Sequence, residues 1–174
     1  MLAYVDGEDE PGEIQVRGPG VFLEYWKRPE TTEESFDEGW FRTGDVAVCE
    51  AGCYRIMGRE SADIIKSGGY KLSALEIEAA CLHHPVIREA AVVGIPDDTG
   101  GEVVALAAVL ESGQELTLES LGKWCQDRLS KYRIPSWLLV VDELPRNAMG
   151  KMTKPRCLRS VLTFCQSSIE MFPK

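Results

Sequence analysis

Residues 58–78 read GRESADIIKSGGYKLSALEIE, and this stretch decides the fold. Asp63–Lys66 is a short apolar run suited to a strand, and it runs into Ser67-Gly68-Gly69. Two glycines after a strand permit a tight turn and close backbone approach to a ligand. Ser73-Ala74-Leu75-Glu76 has the spacing of a capping box, so a helix is expected from Ala74 to about His83. Pro85 ends it, because the residue before a proline is pushed out of the helical region. Leu75, Ala79 and Leu82 fall on one stripe of that helix and are its expected buried face.

Downstream, Ala90–Ile95 and Val103–Leu110 are apolar and rich in β-branched residues, as buried strands are. Leu118–Lys131 carries Leu118, Leu121, Cys125 and Leu129 at helical spacing, and Trp137–Val141 reads as another strand. Thr153 is placed to cap a last helix with Pro155 in its first turn. Strands and helices alternating over about 100 residues imply a compact α+β lobe. Upstream, residues 1–58 are Gly- and Pro-rich with short β-like runs: Glu13–Arg17, then Asp45–Cys49 and Tyr54–Met57 joined through Ala51-Gly52. Thr31–Phe36 has room for one or two helical turns.

Composition narrows the function. The 174 residues carry 19 Lys+Arg against 28 Asp+Glu, a net charge of −9. That acidity argues against broad binding to nucleic acid or an anionic membrane. No apolar run approaches the roughly 20 residues of a membrane-spanning helix. The first residues, MLAYVDGEDEPGE, lack the apolar core of a secretory signal and the Arg-rich character of a transit peptide. Six cysteines (Cys49, Cys53, Cys81, Cys125, Cys157, Cys165) form no C-x-x-C pair, so reduced thiols of an intracellular protein are expected. His83-His84 has no cysteine pair nearby, so a zinc site is not expected; a helix C-terminus is the simpler role. Trp124, Trp137 and the aromatics near Trp26 are expected to pack in the core or against a domain.

Three segments hold more functional residue types than a core requires. In Trp40-Phe41-Arg42-Thr43-Gly44-Asp45 an aromatic pair precedes a turn whose Asp45 suits a ribose diol; a turn-capping aspartate is the bland alternative. In Gly58-Arg59…Lys66-Ser67-Gly68-Gly69-Tyr70-Lys71 the lysines suit phosphates, or are solvated residues of an ordinary hairpin. In Pro145-Arg146-Asn147-Ala148-Met149-Gly150-Lys151, Lys151 is a mobile point charge suited to an anionic transition state, or an exposed loop lysine. It is no P-loop, because proline stands at position 145 where that motif needs glycine.

The order and spacing of these segments resemble the last three motifs of the adenylate-forming (ANL) acyl-CoA synthetases. That superfamily includes luciferase and the adenylation domains of peptide synthetases. Its aromatic-x-T-G-D motif matches Trp40–Asp45, its G-R…I-K-x-x-G motif with an E-I-E helix matches Gly58–Glu78, and its P-x-x-x-x-G-K motif matches Pro145–Lys151. Leu129–Pro135 is similar to the family's segment before its final strand. The wording of Gly58–Tyr70 looks most like the malonyl-CoA synthetase branch.

The resemblance implies an α+β C-terminal lobe at 60–165 and a 166–174 tail. A β-rich end of the large AMP-binding N-terminal domain at 1–59 precedes them. It implies that Asp45 and Arg59 bind ATP or AMP, that Lys151 binds the nucleotide and is catalytic, and that Lys66, Ser67, Gly68, Gly69 and Tyr70 border coenzyme A. Magnesium would accompany ATP, with no dedicated metal ligand in this chain. Between Arg59 and Lys66 the chain is one residue longer than the luciferase-like pattern, leaving Ser61 and Asp63 as hinge candidates. The expected activity is ATP-dependent ligation of a carboxylic acid, malonate or methylmalonate, to coenzyme A, in the mitochondrial matrix. The family's upstream phosphate loop and acyl pocket have no counterpart here, so the isolated chain is expected to be inactive. An adenylation domain feeding a carrier protein, and a non-catalytic binding lobe, stay open.

Overall fold

The computed structural model describes residues 2–5, 10–97 and 101–171. They form two compact units, Met1–Ser61 and Ala62–Lys174.

The first unit is a twisted antiparallel sheet. Its strands are β1 (Leu2–Val5), β2 (Gly12–Arg17), β3 (Phe36–Asp37), β4 (Trp40–Glu50) and β5 (Cys53–Arg59). The long β4 is the organiser and pairs with β2, β3 and β5. Ala51-Gly52 makes the two-residue β4–β5 turn, with φ of +50° and +78°, the paired left-handed conformation that matches strand twist in a tight hairpin. Helix α1 (Pro29–Ser35) starts on its proline. Phe22 meets Tyr25, Phe36 and Phe41 edge-on at centroid distances of 4.9, 5.6 and 4.9 Å. Trp26 is not a core residue: it is 81% exposed.

The chain leaves this unit through the single turn α2 (Glu60–Asp63). The second unit is the expected α+β lobe. Its sheet holds β6 (Ile64–Ser67), β7 (Tyr70–Ser73), β8 (Ile87–Asp97), β9 (Gly101–Leu110) and β10 (Trp137–Val140). β9 lies at the centre, antiparallel to β8 and β6 and parallel to β10. Helices α3 (Ala74–Leu82) and α4 (Leu118–Gln126) and a 3₁₀ turn at Lys131–Arg133 belong to this unit, as does α5 (Lys154–Met171). One apolar cluster joins α3, α4, β8 and β9 around Ile77, Leu106 and Leu121. A second forms around Ala105, Cys157 and Val161 between β8, β9 and α5. Alternate residues of β8 and β9 enter opposite clusters, as the two-residue strand period requires.

Two sequence expectations need correction. The buried face of α3 is Ala74, Ile77, Glu78 and Cys81, while Leu75 and Leu82 are 42% and 47% exposed. Ser73 does cap this helix, accepting from Glu76 N at 3.2 Å. The cap fixes where the helix begins, but the adjoining sheet chooses which face is covered. α4 ends at Gln126 rather than Lys131, because Asp127 closes it and a 3₁₀ turn takes over at Lys131. The 166–174 tail begins inside α5, and its last residues, 172–174, lie outside the described residues.

Cys49, Cys53, Cys81, Cys125 and Cys157 are free thiols, and the Cys165 side chain lies outside the described residues. The Cys81 thiol contacts Cys125 across α3 and α4; that hydrogen bond, with burial, pushes its pKa upward. A buried neutral thiol of this kind is inert.

At Gly101 the sheet is too close for a side chain. Its φ is +107°, and a Cβ there would stand 2.6 Å from the Lys66 carbonyl oxygen, where β9 pairs with β6 at Ser67. Gly101→Ala is therefore expected to cost about 1–3 kcal/mol in left-handed strain and clash. Urea unfolding of the wild type and variant checks this; an unchanged midpoint would contradict it.

Candidate functional site

The Thr43-Gly44-Asp45 motif is not the expected turn; it lies inside β4 as a bulge. Glu13 pairs with Val46 and Gln15 with Arg42, so Ile14 alone faces the three residues Thr43–Asp45. Bulges re-aim side chains beside binding sites, and this one is tightly held. The Thr43 hydroxyl donates to Ile14 O at 2.7 Å and accepts from Asp45 N at 3.1 Å. Gly44, with φ +74°, donates its N–H to Glu13 Oε1 at 2.9 Å. The other Glu13 oxygen takes Arg42 Nε at 2.9 Å. Glu13 is thus a site-shaping residue that sequence reading missed; nothing local distinguishes it from any strand glutamate.

The bulge turns Asp45 toward its register partner on β5, Arg59. Arg59 Nε donates to Asp45 Oδ1 at 3.0 Å, and its Nη2 donates to Thr43 O at 2.9 Å. The sequence-predicted nucleotide pair is therefore brought together within the first unit. The Asp45 side chain stays 40% exposed. A carboxylate oriented by a guanidinium and open to solvent suits acceptance of hydrogen bonds from a diol.

In the second unit, Ser67-Gly68-Gly69-Tyr70 is a two-residue hairpin with φ of +55° at Gly68 and +84° at Gly69. A Cβ at either glycine would meet nothing within 4 Å. Lys66 is exposed, and its N–H donates to Glu102 Oε2 at 2.7 Å. Tyr70 stacks on Tyr132 at 5.1 Å. Ser67, Val103, Val104, Lys131, Tyr132, Ile134 and Ser136 line a groove of about 350 Å³. The predicted loop thus borders an open groove with an aromatic pair at its edge.

Lys151 lies on a small closed loop. Arg146 and Met152 form a β-bridge at its base, and Asn147 N donates to Lys151 O at 2.9 Å. The Lys151 side chain is exposed and makes no hydrogen bond or ion pair with any described residue. Three residues on, Lys154 is buried at 9% exposure. Its ammonium stands 2.7 Å from Asp63 Oδ1 and 2.9 Å from Glu78 Oε1, at ion-pair distance but outside hydrogen-bond angles. Glu78 Oε1 also accepts from Val92 N at 2.8 Å. The hinge candidates separate here: Ser61 ends the first unit, while Asp63 is ion-paired within the second.

His83 closes α3, with Nδ1 2.7 Å from Ala79 O. His84 lies edge-on to Trp124 at 4.8 Å, and burial, with the Arg128 charge, lowers its pKa. Among the described residues no group of three His, Cys, Asp or Glu is placed to hold a metal ion. No described helix is long and apolar enough to cross a membrane.

Residues 76–151 match the AMP-binding enzyme C-terminal domain family. The mitochondrial malonate–CoA ligase of Bos taurus is 50% identical over 155 residues, which span 88% of this chain and 26% of that protein. The malonate–CoA ligase of Arabidopsis thaliana is 48% identical over 162 residues, 86% of this chain and 27% of that protein. The chain thus spans about a quarter of these relatives. Among solved structures, the o-succinylbenzoate CoA synthetase of Bacillus subtilis with its acyl-adenylate intermediate superposes with a TM-score of 0.78. It is 36% identical, and the match covers 87% of this chain and 31% of that one. The same enzyme has been solved with ATP and a magnesium ion.

Proposed function

We propose that this chain, whose residues 76–151 match the AMP-binding enzyme C-terminal domain family, supplies the C-terminal lobe of an AMP-forming acid–CoA ligase. The proposed acid is malonate or methylmalonate, the co-substrates are ATP with magnesium and coenzyme A, and the location is the mitochondrion. The name and 50% identity of the Bos taurus relative support the acid and the compartment. The observation that carries the reaction type is Lys151: an ammonium with no described partner, on a loop whose backbone is hydrogen-bonded shut.

In the first half-reaction a carboxylate oxygen attacks the α-phosphorus and pyrophosphate leaves. Asp45, held by Arg59, accepts from the ribose hydroxyls. The Lys151 ammonium lies between the acid and the α-phosphate and stabilises the charge that grows there. In the second, the coenzyme A thiolate attacks the acyl carbon and AMP leaves. The Lys66–Tyr70 hairpin then borders the pantetheine, whose passage the side-chain-free positions 68 and 69 leave open. Movement at residues 61–63 lets one lobe serve both steps. Residues 1–59 are assigned to the end of the nucleotide-binding domain under the same reading.

Two assays test this. A chimera in which this chain replaces the matching segment of the Bos taurus ligase should form malonyl-CoA from malonate, ATP and coenzyme A. A folded chimera without product overturns the ligase reading. The natural protein, captured with an antibody to this chain, should prefer malonate or methylmalonate to acetate; preference for acetate overturns the acid assignment.

A further inference from the structure

We propose that Asn147, together with Arg146 anchored on Glu89, is a positioning residue that frames the Lys151 loop for adenylation. This rests on the reading of Lys151 given above.

The frame is built around one side chain. Asn147 Oδ1 accepts two backbone N–H groups, from Met149 at 3.0 Å and from Lys151 at 2.9 Å. Its own backbone completes the ring: Asn147 N donates to Lys151 O, and Asn147 O accepts from Gly150 N, both at 2.9 Å. Both partners of Oδ1 are donors, so only an acceptor serves at position 147. Gly150, with φ +79°, makes the reversal inside the ring. The ring is then tied to the sheet. Arg146 Nη1 donates to Gly150 O at 2.9 Å, while its Nη2 is ion-paired with Glu89 on β8. Thr153 N donates to Pro145 O at 2.9 Å below the ring.

The arrangement fixes the Lys151 backbone while leaving its ammonium free. A lysine has a flexible four-carbon stem and is poorly placed unless its Cα is fixed. A displacement of about 1 Å at a charge-stabilising group costs on the order of 100-fold in rate. A short exposed loop has no packing to hold it, since Met149 is 91% exposed. The Asn147 carboxamide and the Glu89–Arg146 tie therefore carry that role. They touch no reacting atom and act only through Lys151.

Asn147→Leu keeps size and removes the acceptor; Asn147→Asp keeps the acceptor. In the full 174-residue chain, Asn147→Leu should speed amide exchange at Met149 and Lys151 at least about 10-fold and leave β8 and β9 unchanged. In the chimera it should slow acyl-adenylate formation about 10- to 100-fold with an unchanged KM for ATP. Acyl transfer from supplied acyl-adenylate should hold, and Asn147→Asp should stay within a few-fold of wild type. Arg146→Met should reproduce the pattern of Asn147→Leu more weakly. Equal slowing of both half-reactions, or unchanged adenylation despite faster exchange, overturns the proposal. A wild-type chimera that makes no acyl-CoA overturns the ligase reading, and the catalytic part of this proposal with it. Unchanged amide exchange overturns the frame itself, whatever the enzyme does.

Discussion

Lys151→Ala is expected, under the proposed function, to slow adenylation by about 10²–10³, the loss of roughly 3–4 kcal/mol that follows from removing one charge-stabilising donor. The structure makes the effect separable from folding. The Lys151 side chain has no hydrogen bond or ion pair with a described residue, and its two backbone bonds, to Asn147 N and Asn147 Oδ1, survive truncation at Cβ. The unfolding midpoint should stay put. Under the same proposal, acyl transfer started from supplied acyl-adenylate should change little, because the charge assigned to the ammonium grows only in the first step. Arginine should rescue poorly, since its rigid planar fork cannot meet two differently oriented oxygens as a compact ammonium does. Paired single-turnover assays on the chimera decide it. Equal slowing of both steps would make Lys151 a general structural residue.

The second large effect concerns stability. Lys154→Met leaves the Asp63 and Glu78 carboxylates, 16% and 10% exposed, without the ammonium that lies 2.7 and 2.9 Å from them. Breaking a buried ion cluster by removing one partner costs about 3–5 kcal/mol, because the buried carboxylates lose the cation that offsets their desolvation. Neutralising all three groups with Lys154→Met, Asp63→Asn and Glu78→Gln should recover most of that loss. The carboxamide introduced by Glu78→Gln still offers an oxygen to Val92 N, which the native carboxylate accepts from at 2.8 Å. The desolvation cost of three charges disappears at the same time. Urea unfolding of the single and triple variants measures both. A Lys154→Met loss below about 1 kcal/mol would show that the cluster contributes little.

Legibility followed the range of the interactions. The strand before Gly68-Gly69, the α3 cap at Ser73 and the hairpin at Ala51-Gly52 were readable because turns and caps are decided within about four residues. The stripe of α3 was not. Leu75 and Leu82 fit helical spacing as well as Ile77 and Cys81 do, and only the position of β8 and β9 settles which side is buried. Trp26 is 81% exposed, so of the two roles expected for that aromatic stretch, core or domain packing, the core one does not apply to it; size favours burial, but a side chain on a loop is buried only if something covers it.

The sequence by itself determined the α+β class of the second unit and the order of its elements other than β7, which are matters of residue type, spacing and local backbone preference. Asp45, Arg59, Lys66–Tyr70 and Lys151 stood out as a set through the resemblance of their three motifs to the adenylate-forming family. Tertiary structure alone decided that Thr43–Asp45 is a bulge held by Glu13, since the count of three residues against one exists only once β2 lies beside β4. It alone decided that Asp63 is tied to Lys154 and Glu78, residues 91 and 15 positions away in the chain. It also decided that Glu89 on β8 anchors the Lys151 loop through Arg146. Charges this far apart in sequence carry no local signal; they find each other only because the sheet and helices bring them within a few ångströms.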